Sequence, residues 1–173
     1  MSEGAWRAIV VMGPSGCGKT TLASALAESL GWKFVEGDTC HPEANRAKMA
    51  AGIALDDHDR EPFLDAVGQA LAQHREGAVA SCSALKRSYR DRLRASAGRV
   101  LFVLPVLGQD QLAARMSARP GHFMPVSLLA SQLATLERPG DDEDLCEVAG
   151  SLACHEQVAQ VRRHIAALQV RGP

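Results

Sequence analysis

Residues 13–20 read Gly-Pro-Ser-Gly-Cys-Gly-Lys-Thr, and this octet restricts the fold more than any other stretch of the chain. Immediately before it, Ala8-Ile9-Val10-Val11-Met12 is an apolar run suited to a buried parallel strand. Immediately after it, Leu22, Leu26 and Leu30 recur every four residues, the core-facing stripe of a helix. A strand, then G-x-x-x-x-G-K-[ST], then a helix is the arrangement of a phosphate-binding loop. Gly13, Gly16 and Gly18 let the backbone turn sharply and bring N–H groups close to phosphate oxygens. The helix presents its positive N-terminal end to the same anion. The cradle therefore spans Gly13, Pro14, Ser15, Gly16, Cys17, Gly18, Lys19, Thr20 and Thr21. Lys19 can reach the β- and γ-phosphates as a point charge, and the Thr20 hydroxyl is placed to ligate Mg²⁺. ATP and Mg²⁺ are the expected cofactors.

Strand and helix patterns alternate through the rest of the chain. Lys33-Phe34-Val35-Glu36 is a second strand ending at Gly37-Asp38. His41-Pro42 opens a lightly packed helix over 43–51, with Gly52 at its end. A longer helix follows, with Asp59 as its N-cap and Phe63, Leu64, Val67 and Leu71 as its buried stripe. Strands are expected over 78–82 and 100–104, with a helix around 89–94 between them. Helices over 109–118 and 127–136, a weak fifth strand over 145–149 and a last helix bearing Val158, Val161, Ile165 and Leu168 complete the series. This alternation predicts an α/β fold with a five-stranded parallel sheet and helices on both faces. At 173 residues one domain is expected, over 1–173.

In such a fold the ligand site lies at the C-terminal ends of the strands. That nominates Asp38 after the second strand, Cys82-Ser83-Ala84-Leu85-Lys86 after the third, and the segment 115–124. Arg115, Arg119 and His122, set among small residues around Pro120-Gly121, look like a mobile cover over phosphate, a lid at about 115–127. Lys86, nearest the strand end, is the functional candidate of its basic helix; Arg87, Arg90, Arg92 and Arg94 read as a solvated face. Asp56, Asp57, His58 and Asp59 read as loop and cap, because four consecutive residues do not converge on one ion without a special loop.

The formal net charge is −1, from 19 basic and 20 acidic residues, so no basic excess argues for nucleic acid or an anionic membrane. No apolar run approaches the ~20 residues of a membrane span. Five cysteines without a Cys-x-x-Cys pair indicate neither a disulfide framework nor a zinc ribbon, and the reading is a reduced, cytoplasmic protein. Cys17, at a helix N-terminus, stands where a thiol pKa can be lowered.

Three further blocks resemble the gluconokinase family. The first is Asp38-Thr39-Cys40-His41-Pro42 with Asn45, Lys48-Met49, Gly52, Leu55-Asp56-Asp57, Asp59-Arg60 and Pro62. The second is Cys82-Ser83-Ala84-Leu85-Lys86 with Tyr89-Arg90-Asp91 and Leu93-Arg94. The third is Arg119-Pro120-Gly121-His122-Phe123-Met124 with Leu128-Leu129, Ser131-Gln132 and Leu136-Glu137. The resemblance covers about 9–139. It implies a small P-loop kinase, a three-layer fold related to shikimate and nucleoside-monophosphate kinases, with a lid and with dimers among its members, so a homodimer is one expected state. It implies transfer of the γ-phosphoryl group of ATP to the 6-hydroxyl of D-gluconate. Phe63 stands where the family pattern suggests tryptophan, and the 147–151 segment is a poor copy of the family's acidic fifth-strand end, which leaves the adenine contacts unassigned.

On this reading Lys19, Asp38 and Arg119 are catalytic. The third strand ends without an aspartate, so Asp38 is the carboxylate of the reacting centre, as proton acceptor, orienter of the hydroxyl or water-mediated Mg²⁺ ligand. Arg60 or Lys86 would hold the gluconate carboxylate, and Ser83, His41 and Asn45 its hydroxyls. Arg119 with Arg115 would close over the γ-phosphate, and His122 would join the substrate contacts. The other readings are a shikimate- or nucleoside-monophosphate-type kinase and a non-catalytic nucleotide-binding regulator.

Overall fold

A computed structural model describes residues 6–118, 120 and 126–170. In chain order they form β1 (Ala8–Val11), α1 (Lys19–Leu30), β2 (Lys33–Glu36), a 3₁₀ turn (Gly37–Cys40), α2 (Glu43–Ala50), α3 (Asp57–Ala72), β3 (Ala78–Ser81) and α4 (Arg87–Ala97). Then come β4 (Val100–Val106), α5 (Gln109–Ala118), α6 (Val126–Thr135), β5 (Leu145–Ala149) and α7 (Cys154–Val170). The five strands pair in parallel in the order β2-β3-β1-β4-β5. The expected α/β fold and parallel sheet are therefore present.

β1 sits at the centre, and all four of its residues are buried, as its unbroken apolar run requires. The two faces of the sheet carry separate cores. Val10, Met12, Ala80 and Phe102 pack against Phe63, Val67 and Leu71 of α3 and Leu93 of α4. Ile9, Val11, Val79 and Val103 pack against Leu22 and Leu26 of α1 and Val158 and Val161 of α7. Helices thus cover both faces. A third, smaller cluster joins Cys17 of the glycine loop to Leu112 and Met116 of α5 and Leu129 of α6.

Several local expectations change. α3 begins at Asp57, capped by Asp56 in place of Asp59. The Asp56 carboxylate accepts the Asp59 N–H, and the Asp59 side chain accepts the Asp56 N–H, a reciprocal capping box. β4 runs through Pro105 to Val106. The Phe102 N–H faces β5, so by alternation the position of Pro105 faces the β1 side, where β1 has already ended at the Val11–Val103 pair. The missing N–H of Pro105 costs no ladder bond there.

The solvated-face reading of α4 fails at Arg90, which is fully buried. Its Nε and Nη2 donate to the Glu143 carboxylate at 2.8 and 3.0 Å, and its Nη1 donates to the carbonyls of Ala84 and Leu85. Arg94 donates to Glu143 at 2.8 Å. Burial works to raise the Glu143 carboxyl, but the hydrogen bonds from both arginines outweigh it and bring the pKa down to about 2. The anchored carbonyls belong to the β3–α4 loop, where Ala84 adopts a left-handed φ of 46°. That conformation costs an L-residue about 1–2 kcal/mol, which the Arg90 contacts oppose.

Candidate active site

The glycine loop closes over the C-terminal end of β1. Gly13, Gly16 and Gly18 have φ values of 129°, 83° and 90°, a region that only glycine enters readily. Gly18 is the N-cap of α1 and supplies no side-chain acceptor, so the first N–H groups of the helix are left to a ligand. The Gly13 N–H donates to the Ser83 carbonyl at 3.1 Å, tying the loop to the end of β3. Lys19 Nζ donates to the Pro14 carbonyl at 3.1 Å, and the Ser15 N–H donates to Gln132 Oε1 of α6 at 2.7 Å. Thr20 and Thr21 are exposed in the first turn of α1.

Cys17 is buried under this loop. Burial raises its thiol pKa, and the nearby Lys19 charge only partly opposes this. The thiol is therefore not a lowered-pKa group, whatever the helix terminus contributes.

Asp38 sits in the 3₁₀ turn after β2, exposed at the same C-terminal end of the parallel strands as the loop. The turn is held at its start by Gly37, whose N–H donates to Ser81 Oγ at 3.3 Å; the Ser81 hydroxyl donates to Glu36 Oε1 at 2.6 Å. Cys82 is wholly buried between these parts. Burial pushes its thiol up to about 12; a backbone hydrogen bond at Ala84 and the Lys19 charge oppose this, and the Asp38 charge adds to it. Lys19 and Asp38 thus act on the same strand end.

His41 follows the turn. Its ring stacks on Phe63, centroids 3.8 Å apart and planes 7° from parallel. Asn45 Nδ2 donates to the Asp59 carbonyl at 2.7 Å and lies 3.3 Å from His41 Nδ1. Since that nitrogen is a donor, Nδ1 accepts and the His41 proton resides on Nε2. Burial lowers the His41 pKa against the pull of Asp38, with Arg60 and Arg46 adding to the fall, so the ring is neutral at pH 7. Position 63 therefore orients His41 and does more than fill the core.

Arg60 and Lys86 converge on Tyr89. The Arg60 guanidinium carbon lies 5.7 Å and Lys86 Nζ 5.5 Å from the Tyr89 ring centroid. Lys86 is committed to Asp57, donating to both carboxylate oxygens at 2.9 Å. The Tyr89 hydroxyl donates to the same carboxylate. These contacts hold the Asp57 carboxyl below its usual range and raise the Lys86 pKa. Arg60 has no carboxylate within salt-bridge distance among the described residues.

On the other side of the loop, Arg115 Nη2 donates to the Gly150 carbonyl at 2.9 Å. Arg115 borders a cavity of about 190 Å³ with Thr21, Leu152, Cys154 and Gln157. Gln157 donates through Nε2 to the carbonyls of Leu152 and Gly150, while its Oε1 is a buried polar atom without a partner among the described residues. Arg119 and His122, with most of the expected lid, lie outside the described residues.

The structure thus groups Lys19, Thr20, Asp38 and Ser83 around the loop, His41, Arg60 and Lys86 beyond Asp38, and Arg115 opposite. The sequence reading missed Asp57, Tyr89, Glu36, Gln157 and the contact of Gln132. Asp57, Tyr89 and Gln132 carried one signal, their places in the three family-like blocks; Glu36 and Gln157 carried none. Among the described residues no cluster of three His, Cys, Asp or Glu side chains could hold a metal ion, and no helix is long and apolar enough to cross a membrane.

Residues 9–139 match a protein-family profile described as an AAA domain. The chain is 49% identical over 164 residues to a gluconokinase of Gluconobacter oxydans, covering 93% of this chain and 92% of that relative. It superposes on the crystal structure of a gluconokinase from Sinorhizobium meliloti with a TM-score of 0.85 and 47% identity, covering 97% and 95% of the two chains. The shikimate kinase of Aquifex aeolicus, 14% identical with a TM-score of 0.62, shares the fold.

Proposed function

The chain belongs to the gluconokinase family, and from that premise we propose that it transfers the γ-phosphoryl group of ATP to the 6-hydroxyl of D-gluconate, giving 6-phospho-D-gluconate and ADP. One observation supports this most directly. Lys19 of the phosphate loop and Asp38 follow β1 and β2, the two strands that flank β3, and Arg60, a half-buried cation with no carboxylate partner among the described residues, stands with Asp38 near His41. That layout suits a small polyol acid placed with its hydroxyl toward a bound phosphate.

In this reading Lys19 and the loop N–H groups hold the β- and γ-phosphates. The nucleoside lies against Arg115 and in the cavity bordered by Leu152 and Gln157, whose unpaired Oε1 is an acceptor fit for a base amino group. The exposed Thr20 hydroxyl makes no hydrogen bond to a described residue and suits a hard cation, so Mg²⁺ fits here. Bound there, Mg²⁺ would neutralise phosphate charge. Asp38 accepts or orients the reacting hydroxyl, or reaches Mg²⁺ through water. Arg60 takes the carboxylate, and neutral His41, its proton on Nε2, offers a donor to a substrate hydroxyl. Arg119, Arg115 and His122 form the lid contacts of the proposal. The five cysteines are all free thiols, which accords with a cytoplasmic protein, and a homodimer belongs to the same reading.

The test is ADP release from Mg·ATP with D-gluconate, shikimate or nucleoside monophosphates as acceptor. Strong stimulation by gluconate alone is expected; stimulation only by another acceptor overturns the substrate assignment. Asp38→Asn should lower turnover by about 100-fold or more while ATP binding stays within about 3-fold; near-normal turnover removes Asp38 from the reacting centre.

A further inference from the structure

The peptide unit joining Pro14 to Ser15 is gripped at both ends. Its carbonyl accepts the Lys19 ammonium at 3.1 Å, and its N–H donates to Gln132 Oε1 at 2.7 Å. The line from Lys19 through the peptide to the Gln132 carboxamide is a continuous chain of hydrogen bonds, and each link polarises the next. It ends on the two N–H groups of Gln132 Nε2, which have no acceptor among the described residues although the side chain is half-buried.

The location of that end matters. Gln132 comes from α6, 117 residues beyond Ser15, and its carboxamide is held at the rim of a loop shaped for phosphate. Its neighbours Leu129 and Leu133 pack with Cys17, Leu112 and Met116 beneath the loop, so the helix that carries Gln132 is anchored. An amide that accepts through Oε1 fixes its NH₂ group in the same plane. A neutral donor at this point can serve phosphoryl oxygens without repelling Lys19 or Arg115.

We propose that Gln132 is a catalytic residue of the phosphoryl transfer. Oε1 holds the Ser15 N–H and so orients the carboxamide, and Nε2–H donates to an oxygen of the γ-phosphoryl group as it moves. No bond to Gln132 forms or breaks; the phosphoryl group passes from ADP oxygen to the acceptor hydroxyl, whose proton leaves by the route open to Asp38. This assignment rests on the kinase reading above.

Gln132→Glu separates catalysis from bracing. It keeps an oxygen for the Ser15 N–H, removes the donor and adds a negative charge. We expect kcat to fall about 10- to 100-fold, the loss of a charge-assisted hydrogen bond, with the gluconate KM within about 3-fold. Affinity for a non-hydrolysable ATP analogue should fall about 10-fold more than affinity for ADP, which lacks the γ-phosphate. Gln132→Ala, which loses the brace as well, should weaken both nucleotides. A Gln132→Glu protein with kcat within about 2-fold of wild type, or with both affinities falling in equal proportion, including loss of both, overturns the proposal. The nucleotide measurements need no acceptor. A wild-type protein inert toward gluconate but showing the analogue-specific loss in Gln132→Glu would sink the substrate reading and keep Gln132. Intact gluconate turnover with no analogue-specific loss would sink Gln132 alone.

Discussion

Arg60 and Lys86 bring the same charge to the same tyrosine with different commitments. The Asp57 carboxylate holds both its oxygens 2.9 Å from Lys86 Nζ, so that cation reaches a substrate only by giving up a partner. Arg60 lies over the Tyr89 ring and, among the described residues, has no ion pair to give up when it meets a carboxylate. Arg60→Ala should therefore raise the gluconate KM about 10- to 100-fold with kcat little changed, the signature of a lost charge-assisted contact. Lys86→Ala should raise it less than about 5-fold, because the charge it removes is already neutralised. Steady-state kinetics on the two variants decides this, and the reverse order would give the carboxylate to Lys86. That both residues belong to the site was legible from their blocks. The difference between them was not, because it depends on Asp57, 29 residues from Lys86.

The element that places Asp38 is the short 3₁₀ turn, and its geometry depends on one missing side chain. A Cβ on Gly37 would lie 1.9 Å from the Ser81 carbonyl oxygen and 3.1 Å from its carbon. Both atoms are backbone of β3, so relief requires the strands to separate. Gly37→Ala should lower stability by about 2 kcal/mol or more and also lower turnover, since the turn and Asp38 move together. Thermal unfolding beside an activity assay measures both; a variant that melts and turns over like wild type would show that the turn does not set the Asp38 position. The sequence showed a strand ending at Gly37-Asp38 but not this turn, because four residues carry no periodic signal and the constraint comes from a neighbouring strand.

At the scale of the molecule, Glu143 ties α4 to the loop entering β5 through Arg90 and Arg94. Its pKa falls from the ordinary 4.5 to about 2 in the folded protein. A depressed carboxyl stabilises fully above its unfolded pKa, and that stabilisation disappears as the pH drops through the folded value. Unfolding free energy should thus decline between about pH 4.5 and 2, by roughly 3 kcal/mol from this group. Glu143→Gln should cost about 3–5 kcal/mol at pH 7, leaving Arg90 buried without its counter-charge, and should flatten that acid limb. Urea unfolding across pH tests it, and an acid slope unchanged by the substitution would remove Glu143 from the account. The phosphate loop, the parallel sheet and the two apolar faces were determined by the sequence itself, because positive-φ glycines, apolar runs and helical spacing act over a few neighbouring residues. Tertiary structure alone decided that Arg90 is buried, that Cys17 is shielded, that Lys86 is neutralised and that Gln132 meets the loop. Those outcomes turn on which distant partner arrives, and a polar residue's type does not say whether it will face water or another chain segment.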